Sequence, residues 1–138
     1  MMENFNVLLV DDEKEFLETL VKRLKRRNLN ILEAGSGEKA IDIMKTSKVD
    51  VVVLDVRMPG IDGIETLREI KKINPLAEVI MLTGHASVEV AIEGMELGAF
   101  DYLMKPMEID DLLYKLQDAY QKKLLQEQKI RRMEKEFG

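Results

Sequence analysis

Short apolar runs recur along the chain, each closed by a polar residue, and between them the apolar positions take helical spacing. Phe5 to Val10 reads as a strand around Val7-Leu8-Leu9-Val10, ended by Asp11-Asp12-Glu13. Phe16, Leu17, Leu20, Val21 and Leu24 then share one helical face. Lys25-Arg26-Arg27-Asn28 suits that helix's C-terminal end, where cations meet the negative pole of the dipole. Leu29 to Ala34 gives a second, weaker strand. Gly35-Ser36-Gly37 turns into a helix running to about Thr46, with Ser36 or Gly37 as cap and Ala40, Ile41 and Met44 inward. Val51-Val52-Val53-Leu54-Asp55 is the third strand; its unbroken, mostly β-branched run suits burial on both faces. Pro59-Gly60 marks a turn, and Asp62-Gly63 opens a helix with Ile64, Leu67, Ile70 and Ile73 on its apolar face, stopped by Asn74-Pro75. Glu78 to Thr83 is the fourth strand. After Gly84-His85-Ala86-Ser87, with Ser87 as N-cap, the face Val88, Ala91, Ile92 and Met95 predicts a helix that Gly98 ends. Phe100 to Met104 is a short fifth strand, broken by Lys105-Pro106. A last helix begins near Ile109-Asp110, with Leu112, Leu113, Leu116 and Tyr120 inward.

Strand and helix therefore alternate five times. Right-handed crossovers between parallel strands need helices on both faces, so the fold class is α/β with a doubly wound parallel sheet. Five such units match the flavodoxin-like order 2-1-3-4-5. The length of 138 residues suits one domain, placed at residues 1–120, with a helical extension or linker over 121–138. No Pro or Gly interrupts the chain from Leu112 to Phe137, so the extension continues the last helix. Leu113, Leu116, Tyr120 and Leu124, then Ile130 and Met133, loosely follow a coiled-coil seam, imperfect near Gln126 to Gln128.

Composition narrows the classes. An apolar share of 46% with 34% charged residues is ordinary for a soluble domain. The net charge of −5 argues against nucleic-acid binding by the whole chain. The acid excess lies in the body, because Gln121 to Gly138 holds six basic residues against three acidic ones. A charge run this short is weak grounds for nucleic-acid contact. The absence of cysteine excludes disulfides, thiolate metal sites and cysteine nucleophiles, and fits a cytoplasmic protein. Met1 to Asn6 lacks a basic region followed by an apolar run, so no signal peptide is expected. No apolar run approaches a membrane span.

The polar residues that close the strands carry the chemistry. Asp11 and Asp12 end strand one, Asp55 strand three, Thr83 strand four and Lys105 strand five. Those strands are contiguous in the order 2-1-3-4-5 and point the same way, so these side chains converge. Three carboxylates on one rim repel, and a hard divalent cation such as Mg²⁺ relieves the repulsion. With a lysine beside it, such a site holds a phosphoryl group. The Thr83 hydroxyl donates a hydrogen bond, and Asp55 is placed as nucleophile, giving an aspartyl phosphate.

Asp11-Asp12, Asp55 with Met58-Pro59-Gly60, Thr83 and Lys105-Pro106 together closely resemble the receiver domain of two-component response regulators, over roughly residues 5 to 120. The stretch Thr83 to Pro106 is similar to receivers that precede ATPase-type transcription activators, the NtrC type. The resemblance implies that Asp55 is the phosphoacceptor and Asp12 a direct Mg²⁺ ligand. It implies that Asp11 acts through water and that the backbone carbonyl of Arg57 is a further ligand. Thr83 and Lys105 resemble the pair that senses the phosphoryl group. Pro106 resembles the family's cis-proline, and Tyr102 stands where the switch aromatic turns inward. The implied donor is a sensor histidine kinase or a histidine phosphotransfer protein. The implied output is a shift of the face made by the fourth helix, fifth strand and last helix, with homodimerisation through that face or through the C-terminal helix. Such a protein catalyses only its own phosphorylation and dephosphorylation and turns over no metabolite.

Each residue also has a plainer reading. Asp11 and Asp12 alone cap a helix, Thr83 alone is a β-branched strand end, and Lys105 alone is a surface lysine. Only their joint placement makes a site. Tyr102 alone is an ordinary half-buried aromatic. Arg57 is solvent-facing or tunes access to the phosphate. His85 is a loop residue with at most a modest effect on phosphate lifetime, and the nine methionines mostly fill gaps in the core. Three other functions compete. An aspartate-dependent phosphatase of the haloacid dehalogenase type needs a second Asp two residues after the nucleophile, where this chain has Arg57. A flavin-binding flavodoxin needs a hydroxyl- and glycine-rich loop where Asp11-Asp12-Glu13 stands. A receiver fold used only for docking, never phosphorylated, has no need of the intact acidic cluster.

Overall fold

The computed structural model describes residues 4–57, 62–84 and 88–138, with Val88 described by its backbone only. Met58-Pro59-Gly60, His85 and the Ser87 cap lie outside the described residues. The elements run β1 (Asn6–Val10), α1 (Lys14–Lys25), β2 (Asn30–Ala34), α2 (Gly37–Thr46), β3 (Val51–Asp55), α3 (Gly63–Ile73), β4 (Glu78–Thr83), α4 (Val88–Glu96), β5 (Asp101–Met104) and α5 (Ile109–Phe137). All four strand pairings are parallel, and the order is β2-β1-β3-β4-β5. Every residue of β3 and β4 is buried, as their unbroken apolar runs imply.

Side chains alternate across the sheet and divide the core in two. Val7, Leu9, Val51, Val53, Ile80 and Leu82 face α1 and α5. Leu8, Val10, Val52, Leu54, Val79 and Met81 face the opposite layer, with Ala40 and Met44 of α2 and Leu67 and Ile70 of α3. Among the described residues two helix starts are capped by side chains, each satisfying a backbone donor that the helix leaves free. The Ser36 hydroxyl accepts from the Lys39 amide at 3.2 Å, and the Asp62 carboxylate accepts from the Glu65 amide at 2.8 Å. Gly63 opens α3 directly against the chain that leaves β3: a Cβ there would lie 2.3 Å from Val56 Cα.

The sequence pattern misplaced one helical face. Ile92 and Met95 of α4, expected inward, are 53% and 41% exposed. Gly94 is the cause. It lets α4 settle on Met81, whose Sδ would lie 2.1 Å from an added Cβ. The helix therefore docks through Ala91 and Gly94, and the larger side chains turn outward. Ile41, Ile64 and Ile73 are half-buried at the margin of their helices.

The last helix is a single element of 29 residues. Leu113 and Leu116, the first members of the expected seam, are buried in the domain, and the Tyr120 ring stacks on Phe5 at 4.3 Å. Leu112, Leu116, Ala119 and Lys123 are buried along one face. The same three- and four-residue spacing carries that face on to Ile130, Met133 and Phe137, which are exposed. Lys123, counted in sequence with the basic tail, is only 6% exposed. Its ammonium donates to Asp50 Oδ1 at 2.6 Å and lies 2.7 Å from Glu127 Oε1. Lys122 pairs with Glu78 Oε2 at 3.1 Å. Two of the tail's cations are thus neutralised by acids of the body and of α5 itself.

Candidate functional site at the strand ends

The parallel register brings the C-terminal ends of β1, β3, β4 and β5 to one edge. Asp11 follows β1, with its amide donating to Ala34 O at 3.1 Å, and Asp55 closes β3 opposite Leu82. Lys105 follows β5, and its amide donates to Thr83 O at 2.7 Å. Asp11, Asp55 and Thr83 are all buried, while Asp12 is exposed at the rim.

The two buried carboxylates are held alike. Asp11 Oδ1 accepts from the Glu13 amide at 2.9 Å, and Asp55 Oδ1 accepts from the Arg57 amide at 3.0 Å. Each leaves its other oxygen towards Lys105, whose Nζ lies 2.8 Å from Asp11 Oδ2 and 3.8 Å from Asp55 Oδ2. Burial pushes the Asp55 carboxyl up to about 6; the Arg57 hydrogen bond opposes this, Asp11 adds to it, Lys105 opposes it and Asp12 adds to it. Burial pulls Lys105 down, but its hydrogen bond to Asp11, the Asp11 and Asp55 charges and the Glu13 hydrogen bond outweigh that, leaving it above the ordinary lysine value.

Asp11, Asp12 and Asp55 each offer a carboxylate oxygen, all within 4.8 Å of one another. A hard-oxygen set of this kind fits a small divalent cation, which would also offset the Asp11 and Asp12 repulsion that adds to the effect of burial on Asp55. The Thr83 hydroxyl donates to Leu103 O at 3.4 Å, towards β5. Tyr102 is 44% exposed, on the outer surface of β5. The Lys105–Pro106 peptide is cis, and Arg57 is exposed.

Two further residues belong to this cluster and were missed in the sequence. Glu13 Oε1 lies 3.1 Å from Lys105 Nζ, and the Phe16 ring lies beneath that ammonium with its centroid at 4.2 Å. Glu13 was visible only as a third acid in a row, and Phe16 only as a member of a helical face.

A doubly wound sheet in the order 2-1-3-4-5, with carboxylates and a lysine gathered at the C-terminal strand ends, defines a flavodoxin-like α/β domain with an acidic pocket. Residues 7–117 match the family model of the response regulator receiver domain, and the chain belongs to that family. The transcriptional regulatory protein ZraR of Escherichia coli (strain K12) is 39% identical over 117 residues, 85% of this chain and 26% of that protein. The DNA-binding transcriptional regulator NtrC of Klebsiella pneumoniae is 37% identical over 103 residues, 75% of this chain and 22% of its own. The chain thus spans about a quarter of the length of the curated relatives it matches. A response regulator receiver domain protein from Clostridium thermocellum superposes with a TM-score of 0.83 at 37% identity, covering 88% of this chain and 98% of that one. The structure described as adenylate cyclase from Rhodopirellula baltica gives a TM-score of 0.91 at 30% identity, covering 96% of this chain and 99% of that one. Among the described residues no helix is long and apolar enough to cross a membrane.

Proposed function

We propose that this receiver takes a phosphoryl group on Asp55 and passes the change to its surface as a two-state switch. The observation that carries the reading is the convergence of Asp11, Asp12 and Asp55 within 4.8 Å, with Lys105 set between two of them. An Asp55 carboxylate oxygen attacks the phosphorus of a phosphohistidine. The P–N bond breaks, its electron pair returns to the donor imidazole with a proton, and an acyl phosphate forms on Asp55. Asp12, Asp55 and the Arg57 backbone carbonyl would hold Mg²⁺, with Asp11 acting through water, and the bound ion would neutralise charge on the phosphoryl oxygens. Lys105 contributes the second positive charge.

The donor is a sensor histidine kinase or histidine phosphotransfer protein. Thr83 turns its hydroxyl from Leu103 towards the phosphate, Tyr102 follows inward, and the α4–β5–α5 face changes. The receiver unit is residues 1–120, and residues 121–138 form a helical extension. The protein acts in the cytoplasm, touches neither membrane nor nucleic acid through this chain, and modifies only itself. Homodimerisation runs through the α4–β5–α5 face or the C-terminal helix. Intact-mass measurement after incubation with acetyl phosphate and Mg²⁺ tests the centre of the reading. The wild type gains one phosphoryl group and Asp55→Asn gains none. An unlabelled wild type, or a labelled Asp55→Asn, overturns it.

A further inference from the structure

Lys105 is not held by the two aspartates alone. Among the described residues its two contacts at hydrogen-bond distance, Asp11 Oδ2 at 2.8 Å and Glu13 Oε1 at 3.1 Å, both come from the segment between β1 and α1, whereas Asp55 Oδ2 stands at 3.8 Å. The Phe16 ring lies on the same side, with its centroid 4.2 Å from the ammonium. Glu13 occupies the N-cap position of α1, where a short polar side chain ordinarily bonds a helix amide, yet its carboxylate makes no capping hydrogen bond. Its backbone is pinned instead, because the Glu13 amide donates to Asp11 Oδ1 at 2.9 Å. The pinned backbone aims the Glu13 side chain across the site at Lys105.

We infer that Glu13 is a positioning residue: together with Phe16 it holds the Lys105 ammonium on the α1 side of the pocket and opposes its move to a phosphoryl group on Asp55. The inference rests on Asp55 being the phosphoacceptor. A phosphoryl group on Asp55 adds oxygens beside the carboxylate that Lys105 holds only at 3.8 Å, so drawing the ammonium onto them competes with its 3.1 Å contact to Glu13. The restraint therefore acts on how firmly the phosphorylated form is held, and leaves the nucleophile itself untouched. Glu13 is mostly exposed, so the restraint is modest and is weakened by salt.

Beryllofluoride, a phosphoryl mimic, reads this directly when titrated at saturating Mg²⁺ and low ionic strength. Glu13→Gln is expected to tighten binding about two- to fivefold, the scale of an exposed ion pair, and the gain is expected to shrink in high salt. Glu15→Gln is the control, since it removes an equal charge from the exposed first turn of the same helix. It is expected to leave the affinity at the wild-type value. Unchanged or weaker binding by Glu13→Gln overturns the inference, and so does an equal gain from Glu15→Gln, which would reduce the effect to net charge. A wild type that binds no beryllofluoride would instead remove the phosphoacceptor reading, and this inference with it.

Discussion

Lys123 donates to Asp50 at 2.6 Å across 73 residues of sequence, and both side chains are buried. Asp50 immediately precedes β3, and its second oxygen accepts from the Asn6 amide at 2.8 Å. The pair therefore binds α5 to the entry of β1 and β3, at the opposite end of the sheet from Asp55. Beyond it the helix runs on to Phe137.

Breaking this pair from one side leaves a buried charge unmatched. Lys123→Met is expected to destabilise the fold by about 3 to 5 kcal/mol, the usual consequence of stranding one member of a buried ion pair. Asp50→Asn is expected to cost less, because Lys123 keeps Glu127 at 2.7 Å. Urea denaturation measures both values. Hydrogen exchange gives the local readout: in Lys123→Met the amides beyond Leu124 are expected to exchange faster, while those of β3 and β4 follow global stability. Unaltered protection along the tail would mean that the ion pair does not anchor it.

Asp55 strains the unliganded fold. Its folded value of about 6 lies above the ordinary 3.8, so the folded protein holds this proton more tightly than the unfolded chain does. This group therefore disfavours folding above pH about 6, and the penalty disappears as pH falls towards 4. The shift corresponds to about 3 kcal/mol at most at neutral pH. Asp55→Asn is accordingly expected to raise Tm at pH 7.5 without divalent cation, and the advantage is expected to vanish near pH 4. Added Mg²⁺ narrows the gap from the other side, because a ligand that binds only the folded wild type stabilises it. Lys105 works in a separate window: its raised value leaves its contribution intact at neutral pH and lost only above the ordinary lysine range. A lower Tm for Asp55→Asn at pH 7.5 would contradict the sign.

Much of this site was legible because β3 and β4 are buried throughout. Short apolar runs rich in β-branched residues and bounded by turn signals read as buried strands, and the first polar residue after each run marks the C-terminal strand end, where open α/β sheets bind ligands. The same logic located Asp11, Thr83 and Lys105. What stayed hidden depends on reach and on contacts distant in sequence. The Glu13 side chain crosses to a lysine 92 residues away, and Lys123 finds Asp50 through the packing of α5. The rotation of α4 was illegible for a different reason. Helical periodicity favours the bulkier face of Ile92 and Met95, and nothing local reveals that Gly94 lets Met81 into the other.

Gly63 and Gly94 both face close neighbours, but of different kinds. A Cβ at Gly63 meets Val56 backbone, with Cα at 2.3 Å and the carbonyl carbon at 2.9 Å. That carbon is bonded to the Arg57 nitrogen, which donates to Asp55 Oδ1 at 3.0 Å. Gly63→Ala is therefore expected to cost about 1 to 3 kcal/mol of overpacking and to displace the Arg57 amide, which an NMR shift of that amide reports. A Cβ at Gly94 meets the flexible end of Met81, with Sδ at 2.1 Å and Cε at 2.5 Å. A thioether repacks more readily than backbone, so Gly94→Ala is expected to be milder and to leave the Arg57 amide in place. Equal losses of stability, or an unmoved Arg57 amide in Gly63→Ala, would refute the distinction.

If two copies pair through the tail, as proposed, the face of α5 dictates how they meet. Ile130, Met133 and Phe137 continue the stripe that Leu112, Leu116, Ala119 and Lys123 bury against the body. Two helices paired in register and in parallel along that stripe would drive each first half into the other copy's sheet. A dimer through the C-terminal helix, with α5 docked, therefore runs antiparallel over the distal turns, setting Phe137 against Gln126 of the second copy. The two Phe137 side chains then lie about 16 Å apart at 1.5 Å per residue, too far for a disulfide. The chain has no cysteine, so engineered thiols report cleanly. Oxidising a mixture of Phe137→Cys and Gln126→Cys chains is expected to give the mixed disulfide, whereas Phe137→Cys alone stays uncrosslinked. A rapid 137–137 disulfide in chains whose α5 amides remain protected would overturn the antiparallel geometry.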